Sequence, residues 1–152
     1  MKIEKFRRES AESLVIVQCR FPNHGVALAL DTGASHTTID LTTMLIAGFR
    51  VNDVIRIEKI ETAGGVVEAS VFKIPTPSKP PWPRSKWVVE ASVFKIPVFT
   101  ALGITKTNIE VCSYDFFAHG VLAEFDGVLG LDFVDEYKIC IDFKNSEITI
   151  QE

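Results

Sequence analysis

Read for hydrophobic periodicity, the chain is mostly strands. Leu14-Val15-Ile16-Val17-Gln18-Cys19 is a β-branched strand candidate. Phe21-Pro22-Asn23-His24-Gly25 reads as a turn, with Asn and Gly able to take positive φ, and His24 as a solvated turn residue. Val26 to Leu30 is apolar without a break, which predicts a strand buried on both faces or nearly so. His36 to Ile39 returns as a short strand, and Asp40 is placed to cap a short helix through Met44-Leu45-Ile46, ended by Gly48. Val54 to Ile60 alternates apolar and charged residues, the pattern of a half-exposed strand, turned by Thr62-Ala63-Gly64-Gly65. Asn108 to Ser113 alternates again. Residues 114 to 126 read as a loop with a short strand at Val121-Leu122-Ala123, and His119 beside Gly120 as a turn residue. A short helix is expected from Asp132 to Tyr137, then a hairpin of Ile139 to Phe143 and Glu147 to Ile150, turned at Lys144-Asn145-Ser146. The charged residues 1 to 13 form a frayed arm or an edge strand.

One stretch breaks this order. Val66-Val67-Glu68-Ala69-Ser70-Val71-Phe72-Lys73-Ile74-Pro75 recurs unchanged as Val88 to Pro97. Two copies are too few for a solenoid, and perfect identity points to a tandem duplication. Between them, the prolines of the segment Thr76 to Trp87 forbid a central strand and favour an extended, exposed loop. The fold needs one copy as the strand descending from the Gly64-Gly65 turn. The other must pair beside it, replace it or stay mobile.

Length and composition narrow the class. The chain's 152 residues suit one domain, residues 1–152, carrying a proline-rich insertion and duplicated strand at about 76–97. Hydrophobic content of 47% with 24% charged residues is that of an ordinary soluble globule. A net charge of −4 argues against nucleic acid as the main partner. Cys19, Cys112 and Cys140 cannot all pair within one chain, and no close Cys/His spacing suggests a metal site. They read as reduced thiols of a cytoplasmic protein. The first residues lack the apolar core of a signal peptide, and no run approaches the ~20 apolar residues of a membrane span.

The candidate chemistry sits at Asp31-Thr32-Gly33-Ala34-Ser35. A carboxylate at the mouth of an apolar strand is costly unless paired or hydrogen-bonded. Gly33 permits close backbone approach, and Thr32 and Ser35 supply hydroxyls that can hold the carboxylate. This stretch resembles the catalytic loop of the aspartic proteases. Gly127-Val128-Leu129-Gly130-Leu131-Asp132-Phe133 resembles the two-hydrophobics-then-glycine segment that runs beneath that loop in the family. The Ala63-Gly64-Gly65 turn lies between the two, where the family keeps its flap. Order and spacing resemble the retropepsin-like branch, with one catalytic loop per chain, over most of residues 14 to 150. His36, so near the loop, departs from the family pattern and reads as a partly exposed structural histidine.

The resemblance implies an all-β, acid-protease-like closed barrel with a flap hairpin and one or two short helices. It implies an aspartic endopeptidase needing no cofactor and no metal. Its catalytic residue is Asp31, with Thr32, Gly33, Ala34 and Ser35 as loop support, and Val128, Leu129 and Gly130 as the segment beneath. The chain has no second Asp-Thr-Gly or Asp-Ser-Gly, and neither Asp126-Gly127 nor Asp132-Phe133 supplies one. The second carboxylate then comes from Asp31 of a twofold partner. The expected partners are a second copy and a peptide or protein substrate, with neither nucleic acid nor membrane. Two alternatives stand beside this reading. One is a catalytically inactive dimeric interaction module of the same fold. The other, an actin-like or sugar-kinase phosphate site, needs two large lobes that 152 residues cannot build.

Overall fold

A computed structural model describes residues 1–8, 14–62, 87–121 and 123–152. Ten strands and two short helices follow the chain. They are β1 (Lys2–Lys5), β2 (Ile16–Phe21), β3 (His24–Leu30), β4 (Thr38–Asp40), α1 (Leu41–Ile46), β5 (Val54–Thr62), β6 (Trp87–Ala101), β7 (Ile104–Tyr114), β8 (Gly127–Leu129), α2 (Leu131–Val134), β9 (Lys138–Asp142) and β10 (Glu147–Gln151). Seven strands pair in the order β2-β3-β8-β4-β7-β6-β5, and β2 also pairs with β6. That extra pairing closes β2, β3, β8, β4, β7 and β6 into a six-stranded barrel and leaves β5, among the described residues, as an outer strand. The expected all-β closed barrel with two short helices is what forms. A second sheet, β1-β10-β9, closes one end of the chain's course.

The alternation of β2 sends Val17, Cys19 and Phe21 inward, and β3 adds Val26, Leu28, Ala29 and Leu30. Phe21, Phe94, Phe99 and Phe133 are at most 2% exposed and pack with Phe49 as a chain of tilted and edge-on rings, with centroids 5.4–5.9 Å apart. Fully burying each ring contributes about 1.5–3 kcal/mol. This cluster ties β2, β6, α2 and the loop after α1 into one core.

β6 contains the second copy of the repeat. Val89, Ala91 and Val93 face a smaller cluster with Ile60, Cys112, Tyr114 and Phe116, whereas Phe94 and Ile96 face the main core. The copy therefore runs between β5 and β7, burying one face at Val89, Ala91 and Val93 and the other at Phe94 and Ile96, while Val88, Glu90, Lys95 and Pro97 are exposed. The first copy and the Ala63-Gly64-Gly65 turn lie outside the described residues. Pro97 is tolerated because it falls where β6 changes neighbours. Pairing with β5 ends at Phe94, and pairing with β2 starts at Thr100.

Several local expectations change. Phe21 pairs with His24, so the first turn shrinks to Pro22-Asn23 and His24 opens β3. Asp40 stands at the N-cap of α1 without capping it by its side chain; its carboxylate accepts the Phe116 N–H at 3.0 Å. Val121 and Ala123 are in no strand, and Leu122 is outside the described residues; a 3₁₀ turn, Phe117–His119, precedes them instead. The helix expected from Asp132 to Tyr137 is shorter and starts at Leu131. Residues 2–5 form an edge strand rather than a frayed arm, paired with β10. Among the described residues no helix is long and apolar enough to cross a membrane.

Candidate active site

β3 delivers Asp31 as its pairing ends. Leu28, Ala29 and Leu30 run parallel to Gly127, Val128 and Leu129, so β8 lies directly alongside the approach to the carboxylate. The Leu30 N–H bonds the Val15 carbonyl at 2.9 Å and the Asp31 N–H bonds the Leu129 carbonyl at 3.1 Å. Both flanking strands thus clamp the backbone that carries Asp31. The loop then folds on itself. The Ala34 N–H reaches the Asp31 carbonyl at 3.1 Å, and the Gly33 N–H donates to Asp31 Oδ1 at 2.8 Å.

β8 can lie this close only because glycine stands at both ends of Gly127-Val128-Leu129-Gly130. A Cβ on Gly127 would sit 2.1 Å from the Thr38 carbonyl oxygen, and one on Gly130 2.6 Å from the His36 carbonyl carbon. Real side chains do not tolerate such approaches to backbone. The contact is locked from beyond the strand as well. The Leu131 N–H bonds the Ala34 carbonyl at 2.8 Å. The Gly130 N–H bonds Thr37 Oγ1 at 3.1 Å, and that hydroxyl donates to Asp132 Oδ1 at 2.7 Å. The Thr37 N–H reaches both Asp132 oxygens at 2.8 and 2.9 Å. Val128, Leu129 and Gly130 therefore line the loop that holds Asp31, Thr32, Gly33, Ala34 and Ser35.

Two details differ from the sequence reading. Thr32 and Ser35 are exposed, and within the described chain the Gly33 amide, not a hydroxyl, holds the Asp31 carboxylate. The buried Thr37 and the exposed Asp132 are the supports that residue-by-residue reading missed. Their only sequence signal is a polar residue next to each of two matched segments. The other nearby carboxylates are occupied. Asp126 accepts from the Ala27 N–H at 2.8 Å and from Thr43 Oγ1 at 3.3 Å, and Asp40 accepts from Phe116. Asp31, half-buried at the end of β3, accepts from one loop amide and keeps its other acceptor positions free.

Beside the loop lies a cavity of about 400 Å³, lined by His36, Thr37 and Asp132 together with Arg56, Glu58 and Glu110. The Arg56 guanidinium bonds both glutamates, which holds it charged and holds the Glu110 carboxyl below its ordinary range. Burial pushes the Cys112 thiol up to about 11 and the Cys19 thiol up to about 12, so neither is a thiolate near neutral pH. Among the described residues no three His, Cys, Asp or Glu side chains are grouped to hold a metal ion.

No protein-family model and no curated protein matches the sequence. Solved structures do match. A retropepsin-like aspartic protease from Rickettsia conorii aligns with 98% of this chain and 91% of its own, at a TM-score of 0.56 and 13% identity. The retroviral protease-like domain of Ddi1 from Leishmania major aligns with 91% of this chain and 89% of its own, at 0.54 and 16%. Both alignments run over nearly the whole chain, and the chain has the retropepsin-like aspartic protease fold.

Proposed function

We propose that the protein is an aspartic endopeptidase that works as a homodimer, with one Asp31 from each chain. The observation that carries the reading is the state of Asp31. It is fixed by two strands and one loop amide that leaves most of its acceptor positions free, whereas Asp126 and Asp132 spend both oxygens on amides and hydroxyls. One such group cannot both deprotonate a water and protonate a carbonyl oxygen. Two can, if they share a proton. Like charges about 3 Å apart at an effective dielectric of about 20 repel by roughly 5 kcal/mol, or about 4 pKa units. The pair then holds a single proton across a wide pH range as a coupled unit. Its unprotonated oxygen takes the proton of water, and its protonated oxygen donates to the substrate carbonyl. An extended peptide is bound by main-chain hydrogen bonds, with side chains in flanking pockets. Thr32, exposed and without a side-chain hydrogen bond among the described residues, is free to bond across the axis.

Asp31→Asn tests this. Asn is nearly isosteric and keeps the acceptor for the Gly33 amide, but it neither shares a proton nor activates water. The variant should fold and assemble like wild type while peptide hydrolysis falls to background. Undiminished hydrolysis by a well-folded Asp31→Asn protein would contradict the proposal.

A further inference from the structure

We propose that a second copy of the chain docks on the free edge of β9, antiparallel and with Cys140 facing the partner's Cys140. The inference rests on the homodimeric reading above and names the surface that builds it. Among the described residues β9 pairs with β10 alone, so its far edge presents unpaired amides and carbonyls. Exposed edges of this kind are usually blunted. This one is short, Lys138-Ile139-Cys140-Ile141-Asp142, and self-complementary.

A perpendicular twofold axis must bring same-face residues opposite one another, because side chains alternate along a strand. Three registers satisfy this near the strand centre, on residue 139, 140 or 141. Only the register centred on Cys140 pairs all five residues. It sets Lys138 against the partner's Asp142 twice, and Ile139 against the partner's Ile141 twice. Opposite charges placed directly across a ladder attract, and like charges repel. Ile139 and Ile141 are half-buried against the core, so the register extends that apolar layer across the axis. On the outer face, Ile3, Thr149 and Cys140 are already paired in one uncharged row, which would run on into the partner's row. Lys138 is exposed and has no ion-pair partner among the described residues. Asp142 uses three acceptor positions on the Lys144 N–H, the Asn145 N–H and Asn145 Nδ2, which leaves about one for a lysine. The opposite edge of the sheet is different. On β1 the same rule allows registers centred on Ile3 or Glu4, each pairing only three of its four residues, and Lys5 is already held by Glu147.

The test reverses one charge and reads the dimer dissociation constant by analytical ultracentrifugation. Lys138→Glu should raise it about tenfold, since two attractive pairs become two repulsive ones. Lys59→Glu, the same change on the exposed edge of β5, should leave it unchanged. A second measurement uses oxidised glutathione. The facing thiols lose two protons and two electrons to form one disulfide, while the oxidant is reduced to two glutathione thiols. Wild type should give a covalent dimer that still hydrolyses peptide, and Cys140→Ser should give none. An active dimer indifferent to Lys138→Glu and never linked through Cys140 would overturn the β9 interface and leave the two-aspartate reading standing. A dimer linked at Cys140 and weakened by Lys138→Glu, yet unable to hydrolyse any peptide, would support the interface and overturn the peptidase reading.

Discussion

Thr37 anchors the Asp31 loop from outside it. Its hydroxyl accepts from the Gly130 N–H and donates to Asp132, so one buried side chain joins the return strand to the segment beneath Asp31. Thr37→Val keeps the shape and removes the hydroxyl. It leaves a buried amide unpaired, which costs about 1–3 kcal/mol. The expected outcome in chemical denaturation is a loss of that size. Hydrolysis should fall with it, because the Gly130 contact sets where the loop sits; full stability and activity in the Val variant would show the bond to be incidental. At this scale the sequence was partly legible. Asp31 announced itself, since a carboxylate ending a wholly apolar strand has few structural excuses. Thr37 and Asp132 did not, because their value lies in meeting each other across 95 residues, and nothing local encodes that.

Among the elements, strands with clean alternation or an unbroken apolar run were readable, as β2, β3, β5, β9 and β10 show. The β6–β7 hairpin was not. Its two-residue turn is Leu102-Gly103, with φ of 53° and 67°, and Leu in that left-handed conformation is not the Asn or Asp that signals such a turn. Leu102 accepts the strain because its side chain is 2% exposed in the main core. The repeat defeated sequence reading for a different reason. Identical copies have identical propensities, so only neighbours decide, and the second copy runs on into Val98–Ala101, where Phe99 and Ala101 are buried. Deleting residues 66–87 or 76–97 yields one and the same chain, so deletion cannot separate the copies, whereas point substitution can. Phe94→Ala should cost about 3–5 kcal/mol, the usual price of a buried ring. Phe72→Ala, in the copy that β6 does not contain, should cost far less; the reverse order in thermal melts would assign the sheet strand to the first copy. The β9–β10 turn carries a pH dependence. Hydrogen bonds from Asn145, with help from Lys144, hold the Asp142 carboxyl below its ordinary value of about 4. With the folded value depressed, the stabilisation is complete above the unfolded value and is lost as pH falls through the folded one. The melting-temperature gap between wild type and Asp142→Asn should therefore be widest near neutrality and should close in acid. A gap that is constant with pH would remove the charge from the argument.

For the molecule as a whole, the barrel closes by pairing β2 with β6, and the proposed chemistry calls for a second chain. Asp126 and Asp132 are spent on backbone amides and hydroxyls, so under the proposed mechanism each chain brings one carboxylate, Asp31, to a reaction that needs two. The account therefore stands or falls on whether active sites are built between chains. Mixing equal amounts of wild type and Asp31→Asn, with free exchange and equal affinities, gives the three dimers in roughly a 1:2:1 ratio. Hydrolysis by the mixture is compared with the same total amount of wild type, with subunit exchange confirmed separately. If each site needs both aspartates, only wild-type pairs work, and the rate should be about a quarter. A rate near half would mean that each chain works alone, and would contradict the shared site.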